Sequence, residues 1–382
     1  MKKLVALLLV AAMLVAFAAC GAPQTPADTP ADTPAEEPAA DPAEPAEEGD
    51  KVYKIALSNS FIGNDWRQNM QAIAEMVAAD PYYADRVTLD IINCEHTPEA
   101  QTASIDAMAE KGYDAILVDA CSTTGIDNAL KRAEEKGIVI VVFDQVVDTD
   151  QFVKMECDWS FVAETCAKFI AACCDNKGNY VMDRGLNGSA TAKVLYDDCV
   201  AWLTDNTEMK LVAEFESEYA EGPAEQGVTA AMTANPQIDA VFSQGYVACI
   251  ARAFRNAGKE IPVITGGGSN GTGIDVLENN ADYTCLQWDC NLAGMGAMAM
   301  EQAIQMLDGN MPEEKHIVMK DAVWKSTKPE IGDEIGIKID GYEEGVNVFK
   351  DYSAGFSWPV LPADFPVQIK VEDLVERQKN FN

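Results

Sequence analysis

The densest chemistry in the chain is the run Asn64-Asp65-Trp66-Arg67. An indole offers a flat apolar face, a guanidinium a fork of donors, a carboxylate a pair of acceptors, and an amide one of each kind. Together they suit a small ligand with C–H patches and many hydroxyls. Asn64 or Asp65 also serves as a helix cap and Trp66 also fits a core, so the group carries more weight than any one member. A second set is Asp144-Gln145, an acid and an amide able to accept from and donate to neighbouring hydroxyls. The second half adds Asp183-Arg184-Gly185, then Asn187-Gly188-Ser189-Ala190 with Lys193 one helical turn on, Tyr219, Gln244-Gly245-Tyr246 and Gln287-Trp288-Asp289. Asp65 and Asp144 can be cast as paired catalytic carboxylates, but Arg67 beside them favours ionised acids that bind. Two histidines, His96 and His316, leave little material for a metal site or a histidine base. No covalent chemistry and no cofactor are expected.

The elements that must hold these residues alternate. Lys54–Ser58 reads as a strand, then Trp66–Ala79 as a helix with Met70, Ile73, Ala74 and Val77 on one face. Val87–Asn93 is a strand; Thr97 caps the next helix, with Pro98 at its first position and Gly112 past its end. Ala115–Val118 is a strand, Ile126–Lys136 a helix with Ser122 or Thr123 as its cap, and Ile138–Phe143 a strand. Apolar strands between amphipathic helices imply a parallel sheet covered on both faces. Asp114–Asp144 is echoed by Asp239–Ile264 in order and spacing, so two lobes of like topology are expected, each doubly wound α/β. In such sheets ligands sit beyond the carboxyl ends of the strands, where every candidate residue above falls.

Before this alternation lies a different segment. Lys2 and Lys3, an apolar run from Leu4 to Phe17, then Ala18 and Ala19 make a secretory signal, and Cys20 directly after them makes it look like the lipobox of bacterial lipoproteins. Phe17 stands where a leucine is usual. Cys20 is therefore expected to be lipidated, and two or more acyl chains would hold the protein on a membrane. Residues 21–50 hold seven prolines and nine acids with no base, a composition for an extended disordered tether. The formal charge of −34 repels nucleic acid and anionic lipid. The other ten cysteines sit mostly in apolar stretches with no CxxC pair, as buried thiols do; one bridge among Cys94, Cys121, Cys285 and Cys290 stays open. Gly266-Gly267-Gly268-Ser269-Asn270-Gly271 fits G-x-G-x-x-G but follows a late strand, the wrong place for a dinucleotide loop. No G-x-x-x-x-G-K-[ST] occurs, so the chain has no P-loop for hydrolysing ATP.

Lys54-Ile55-Ala56-Leu57 with Asn64-Asp65-Trp66-Arg67, Gly112-Tyr113-Asp114-Ala115-Ile116 with Gly137-Ile138, Val141-Val142-Phe143-Asp144, Asp239-Ala240-Val241-Phe242 and Gln287 follow one another in a familiar order. Across residues 52–325 the chain resembles the sugar-binding lipoproteins of ABC importers, the ribose/galactose-like class of type I periplasmic binding proteins. The resemblance implies two lobes that close on one sugar by hinge motion, and partners in a permease and, through it, an ATPase. It implies a monomer with no nucleic-acid role. The family's first-loop amide and aromatic fall on Asn64 and Trp66, and the Trp66-Arg67 pair is similar to the furanose-binding branch. The family's acid after strand four falls on Asp144, and Gln145 stands where it has an arginine. The second lobe's aromatic falls on Tyr219, its helix arginine near Lys193 or Leu195, and its asparagine on Gly245, leaving Gln244 or Tyr246. The hinge glutamine falls on Gln287. The expected organisation is a signal over 1–20, a tether over 21–50, a first lobe of 52–148 plus 289–312, a second of 149–288 plus 313–325, and a tail of 326–382 with no reading. A sensory receptor for a sugar-like signal, or a binder of a nucleoside or other non-sugar ligand, stays open beside the importer reading.

Overall fold

Ile116-Leu117-Val118 and Val141-Val142-Phe143 are apolar at every position, and in the computed structural model they are buried on both faces. It describes residues 51–289, 293–319, 323–342, 361–362, 364–370 and 373–374. The expected signal, Cys20 and the tether lie outside the described residues.

The first lobe begins with β1 (Tyr53–Asn59), α1 (Asp65–Ala78), β2 (Val87–Asn93), α2 (Pro98–Lys111), β3 (Ala115–Asp119), α3 (Asp127–Glu135), β4 (Val139–Phe143) and β5 (Val153–Cys157). The second continues with α4 (Trp159–Cys173), β6 (Lys177–Asp183), α5 (Ala190–Asn206), β7 (Glu208–Phe215), α6 (Glu221–Ala234), β8 (Ala240–Phe242), α7 (Val247–Asn256), β9 (Val263–Gly267), α8 (Asn270–Gly273) and β10 (Cys285–Asp289). Then come α9 (Met295–Leu307), β11 (His316–Met319), β12 (Val323–Ser326), α10 (Ile331–Ile335) and β13 (Asp340–Gly341). The sheets run β2-β1-β3-β4-β5-β11 and β7-β6-β8-β9-β10-β12-β13. Each shows the same doubly wound order through its first five strands, so the internal echo is one of topology. Pairing is parallel except between β10 and β12.

Side chains alternate across each sheet. Ile55, Leu57, Leu117, Val141 and Phe143 pack with α1 and α9, whereas Ala56, Ile116, Val118, Ile140 and Val142 pack with α2 and α3. In the second lobe Tyr180, Met182, Phe242, Leu286 and Trp288 face α4 and α5, while Val181, Val241 and Ile264 face α6 and α7. Each fully buried Val, Leu, Ile or Phe contributes roughly 1.5–3 kcal/mol.

Helix ends follow the sequence where a polar side chain is spare. Asn64 accepts from the Arg67 N–H and Thr97 from that of Ala100, and Gly112 turns left-handed at φ 72°. The expected cap on α3 does not form. Ser122 instead closes its own turn on the Gly125 N–H at 3.1 Å, and the helix starts later, at Asp127.

The expected lobe boundaries shift. β5, expected in the second lobe, pairs with β4, and β11 pairs with β5. A strand that follows β4 after a short connection adds to the nearest open edge, and β11 then covers that edge in turn. The chain therefore crosses between lobes at Asp158, between Asp289 and Ala293, and between Met319 and Val323. The Asp158 N–H donates to Met319 O at 3.1 Å and ties two crossings together. The tail also has a place in the fold. α10 and β13 extend the second lobe, and Val367 and Leu374 are buried in the first-lobe core with Leu361, Phe365 and Ile369 against it. Nine of the cysteines lie among the described residues and all nine are free; Cys290 lies outside them.

The glycine run has a packing reason. A Cβ on Gly266 would lie 2.2 Å from the Gly245 carbonyl, because the loop after β8 crosses directly over β9. Gly266→Ala should therefore destabilise the protein by roughly 1–3 kcal/mol, since a backbone atom must move. Equilibrium urea unfolding checks this; an unchanged midpoint would contradict the close approach.

Candidate functional site

The strand register brings the first-lobe polar residues into one row. Asn59 pairs across with both Asn93 and Asp119, so three polar side chains stand together at the carboxyl ends of β1, β2 and β3. The first turn of α1 delivers Arg67 onto them. Its guanidinium donates to Asn59 Oδ1 at 2.8 Å, contacts the Asp119 carboxylate and lies 3.4 Å from that of Asp144. Arg67 is 2 % exposed, and a buried cation is tolerated only with such partners. Asn59 donates to Asn93 at 2.7 Å, which completes the row. Gln101, on α2, donates to Ser58 Oγ and Asp119 O and accepts from the Cys121 N–H, holding two strand ends at a fixed spacing. Burial pushes the Asp119 carboxyl well above the usual range; Arg67 pulls it down and Asp144 pushes it up again.

Among the described residues, the second lobe has no buried arginine at this level. Asp183, at the end of β6, accepts N–H bonds from Gly185 (2.8 Å), Ser217 (3.0 Å) and Gln244 (3.0 Å), and so joins the ends of β6, β7 and β8. Burial raises its carboxyl while these bonds lower it. Gln244 donates to Asp183 O and Ala192 O and accepts from the Tyr219 hydroxyl at 3.2 Å, which also lies 3.3 Å from Ser189 Oγ. Asp144 (φ 59°) and Tyr219 (φ 52°) both take the left-handed conformation, uncommon for non-glycine residues and concentrated at ligand sites. Both residues line the cleft.

Between the lobes is a cleft of about 500 Å³. Of the ten residues expected to bind, Asn64, Asp65, Trp66, Arg67, Asp144, Gln145, Tyr219 and Gln244 line it. The Arg67 guanidinium lies 5.5 Å from the Trp66 ring centroid, so the indole and the cation are held together. Lys193 does not line the cleft. α5 starts at Ala190 with Ser189 as its cap, which puts Thr191 and Leu195, four apart, on the cleft side; Lys193 falls between them on the solvent side and pairs with Asp197. Gln287 does not line it either. It lies one strand position pair short of the end of β10, fully buried, donating to Gly267 O at 3.1 Å and accepting from the Tyr342 hydroxyl.

Their places are taken by residues outside that set of ten: Trp159, Thr191, Leu195, Glu221, Tyr246, Trp288 and Asp289. The rule that pointed to strand ends also covers Asp289 and, two residues past β5, Trp159; helical spacing from the Ser189 cap points to Thr191. Glu221 is paired with Arg252 at 3.3 Å. Burial alone pushes the Asp289 carboxyl well above the carboxylate range. Its sign follows from linkage: the folded state holds a proton that the unfolded state releases above about pH 4, so folding weakens as pH rises through that window. Asp289→Asn should therefore raise the melting temperature of the unliganded protein near pH 7, with the gain disappearing below about pH 4. Thermal melts across pH check this; a gain equal at both ends would refute the buried proton.

None of the curated protein sequences compared matches the chain. Solved structures do. An ABC transporter solute-binding protein from Thermobispora bispora aligns with TM-score 0.63 at 25% identity, over 70% of this chain and 83% of that one. The periplasmic component of the arabinose ABC transporter from a Shewanella species, bound to L-arabinofuranose, aligns with TM-score 0.64 at 17% identity, over 74% and 94%. A periplasmic solute-binding protein from Actinobacillus succinogenes with bound D-allose gives 0.62 at 21%, over 71% and 96%. These share the type I periplasmic binding fold, two parallel-sheet lobes about a cleft. The family model described as the periplasmic binding protein domain matches residues 55–311, from β1 to just before β11, and the chain belongs to that family.

Proposed function

We propose that the chain is the extracytoplasmic receptor of an ABC importer, capturing a small neutral saccharide between its lobes and delivering it to a permease. The observation that carries this reading is the convergence, in one cleft, of two aromatic residues with a fan of hydrogen-bonding groups. Trp66 and Tyr219 offer apolar faces to sugar C–H patches, while Arg67, Asp144, Gln145 and Asn64 meet hydroxyls. The cleft acids Asp65 and Asp144 outnumber its one arginine, which is already paired, so an anionic sugar would meet uncompensated like charge. The arabinofuranose and allose in the similar structures support a monosaccharide-sized ring at this position. The cleft walls come from different lobes joined by three crossings, an arrangement suited to hinge closure. ATP hydrolysis belongs to a partner, since the chain has no P-loop motif.

A ligand that binds only the folded state raises the melting temperature. In a thermal-shift panel on the full chain, one or a few neutral sugars should do so, and uronates and sugar phosphates should not. Trp66→Ala should abolish the shift while the unliganded melt stays cooperative. No shift across pentoses, hexoses, neutral disaccharides and polyols would sink the sugar reading.

In the same reading Cys20 carries the lipid anchor, and residues 21–50 give the receptor reach toward its permease. Cys20→Ala should move the protein from the membrane fraction to the soluble one on cell fractionation. Retention in the membrane would argue for a different attachment.

A further inference from the structure

We propose that the hinge wall of the cleft, formed by Trp159, Thr191 and Asp289, is a second ligand subsite, and that the solute is a two-ring neutral saccharide whose far ring is held there. The proposal rests on the sugar reading above and names the size and shape of that sugar.

Three polar atoms carry it. Trp159 Nε1, Thr191 Oγ1 and Asp289 Oδ2 have no hydrogen-bond partner among the described residues. Their residues are 5 %, 8 % and 6 % exposed, and all three line the cleft. An unsatisfied buried polar group destabilises the fold, whereas an apolar residue of like shape does not. Three such groups on one wall are explained when a ligand supplies their partners.

They come from three elements: the first turn of α4, the first turn of α5 and the last residue of β10. Trp159 and Asp289 each adjoin a crossing between the lobes. Arg67 and Asp144 both act on the Tyr219 hydroxyl, yet burial alone acts on Asp289. Trp288 and Leu195 supply apolar surface beside the three polar atoms. The cleft measures about 500 Å³, within the range of pockets that enclose a small ligand.

The chemistry selects the occupant. Trp159 only donates; Thr191 and a protonated Asp289 both donate and accept. A hydroxylated ring meets all three, with its C–H face on the indoles. A carboxylate or phosphate there would have no cation to meet.

Isothermal titration on the full chain in mild detergent tests this. The probes are L-arabinose, D-fructose, D-galactose and D-glucose, set against sucrose, lactose, melibiose and cellobiose. At least one disaccharide should bind ten times more tightly than either of its constituent sugars. Thr191→Val and Trp159→Phe should each weaken that disaccharide about tenfold, and leave monosaccharide binding within about twofold. Because Thr191→Val removes a group with no partner among the described residues and keeps its shape, its unliganded melting temperature should stay level or rise. A purely structural role would lower it. Monosaccharides that bind as tightly as every disaccharide, or variants that leave disaccharide binding unchanged, would overturn the subsite while leaving the sugar reading in place. Failure of every sugar in both sets would overturn the sugar reading, and the subsite with it.

Discussion

The first half of the cleft depends on one buried cation. Arg67 sits in the first turn of α1, at the carboxyl edge of a sheet, almost wholly withdrawn from water. A guanidinium there is stable only if its surroundings supply acceptors in fixed places. Asn59, Asp119 and Asp144 do so from the ends of three different strands. Strand register, helix start and the left-handed turn at Asp144 are therefore coupled to a single side chain. The same network leaves Asp144 and Gln145 facing the cleft with their orientation already set, which lowers the cost of ordering them on a ligand.

The second lobe meets the same need with opposite charge. Asp183 gathers three backbone N–H groups from three loops, and through Gln244 it fixes the tyrosine on the far wall. One lobe thus organises its strand ends around a cation, the other around a carboxyl group. The topologies match and the site residues do not, so the two walls present different chemistry to one ligand. In the proposed subsite the hinge wall adds polar groups with no hydrogen-bond partner among the described residues, which lower stability. Binding proteins that must close and reopen tolerate such costs at the site itself.

Much of this was legible in the chain order of residue types. Strands that are apolar throughout, helices with one apolar face and polar residues clustered just after strands are local patterns, and they led to eight of the residues that line the cleft. Lys193 and Gln287 were misplaced for definite reasons. For Lys193 the angular position on α5 depends on where the helix starts, and the Ser189 cap sets that to within one residue. For Gln287 the partner is Tyr342, fifty-five residues later, in a tail that showed no pattern of its own. Trp159 stayed hidden because no strand was expected over Val153–Cys157, so the residues after it were not counted among the strand ends.

By itself the sequence determined the class of fold, the doubling of the lobe and the kind of ligand chemistry at the strand ends. Those follow from periodicity and side-chain type, which are properties of neighbouring residues. Only the tertiary structure decided which sheet β5 and β11 join, which face of α5 lines the cleft, and which buried polar atoms lack a partner among the described residues. Each depends on contacts between residues far apart in the chain, and a buried polar group is satisfied or not according to what lies within about 3 Å of it in space.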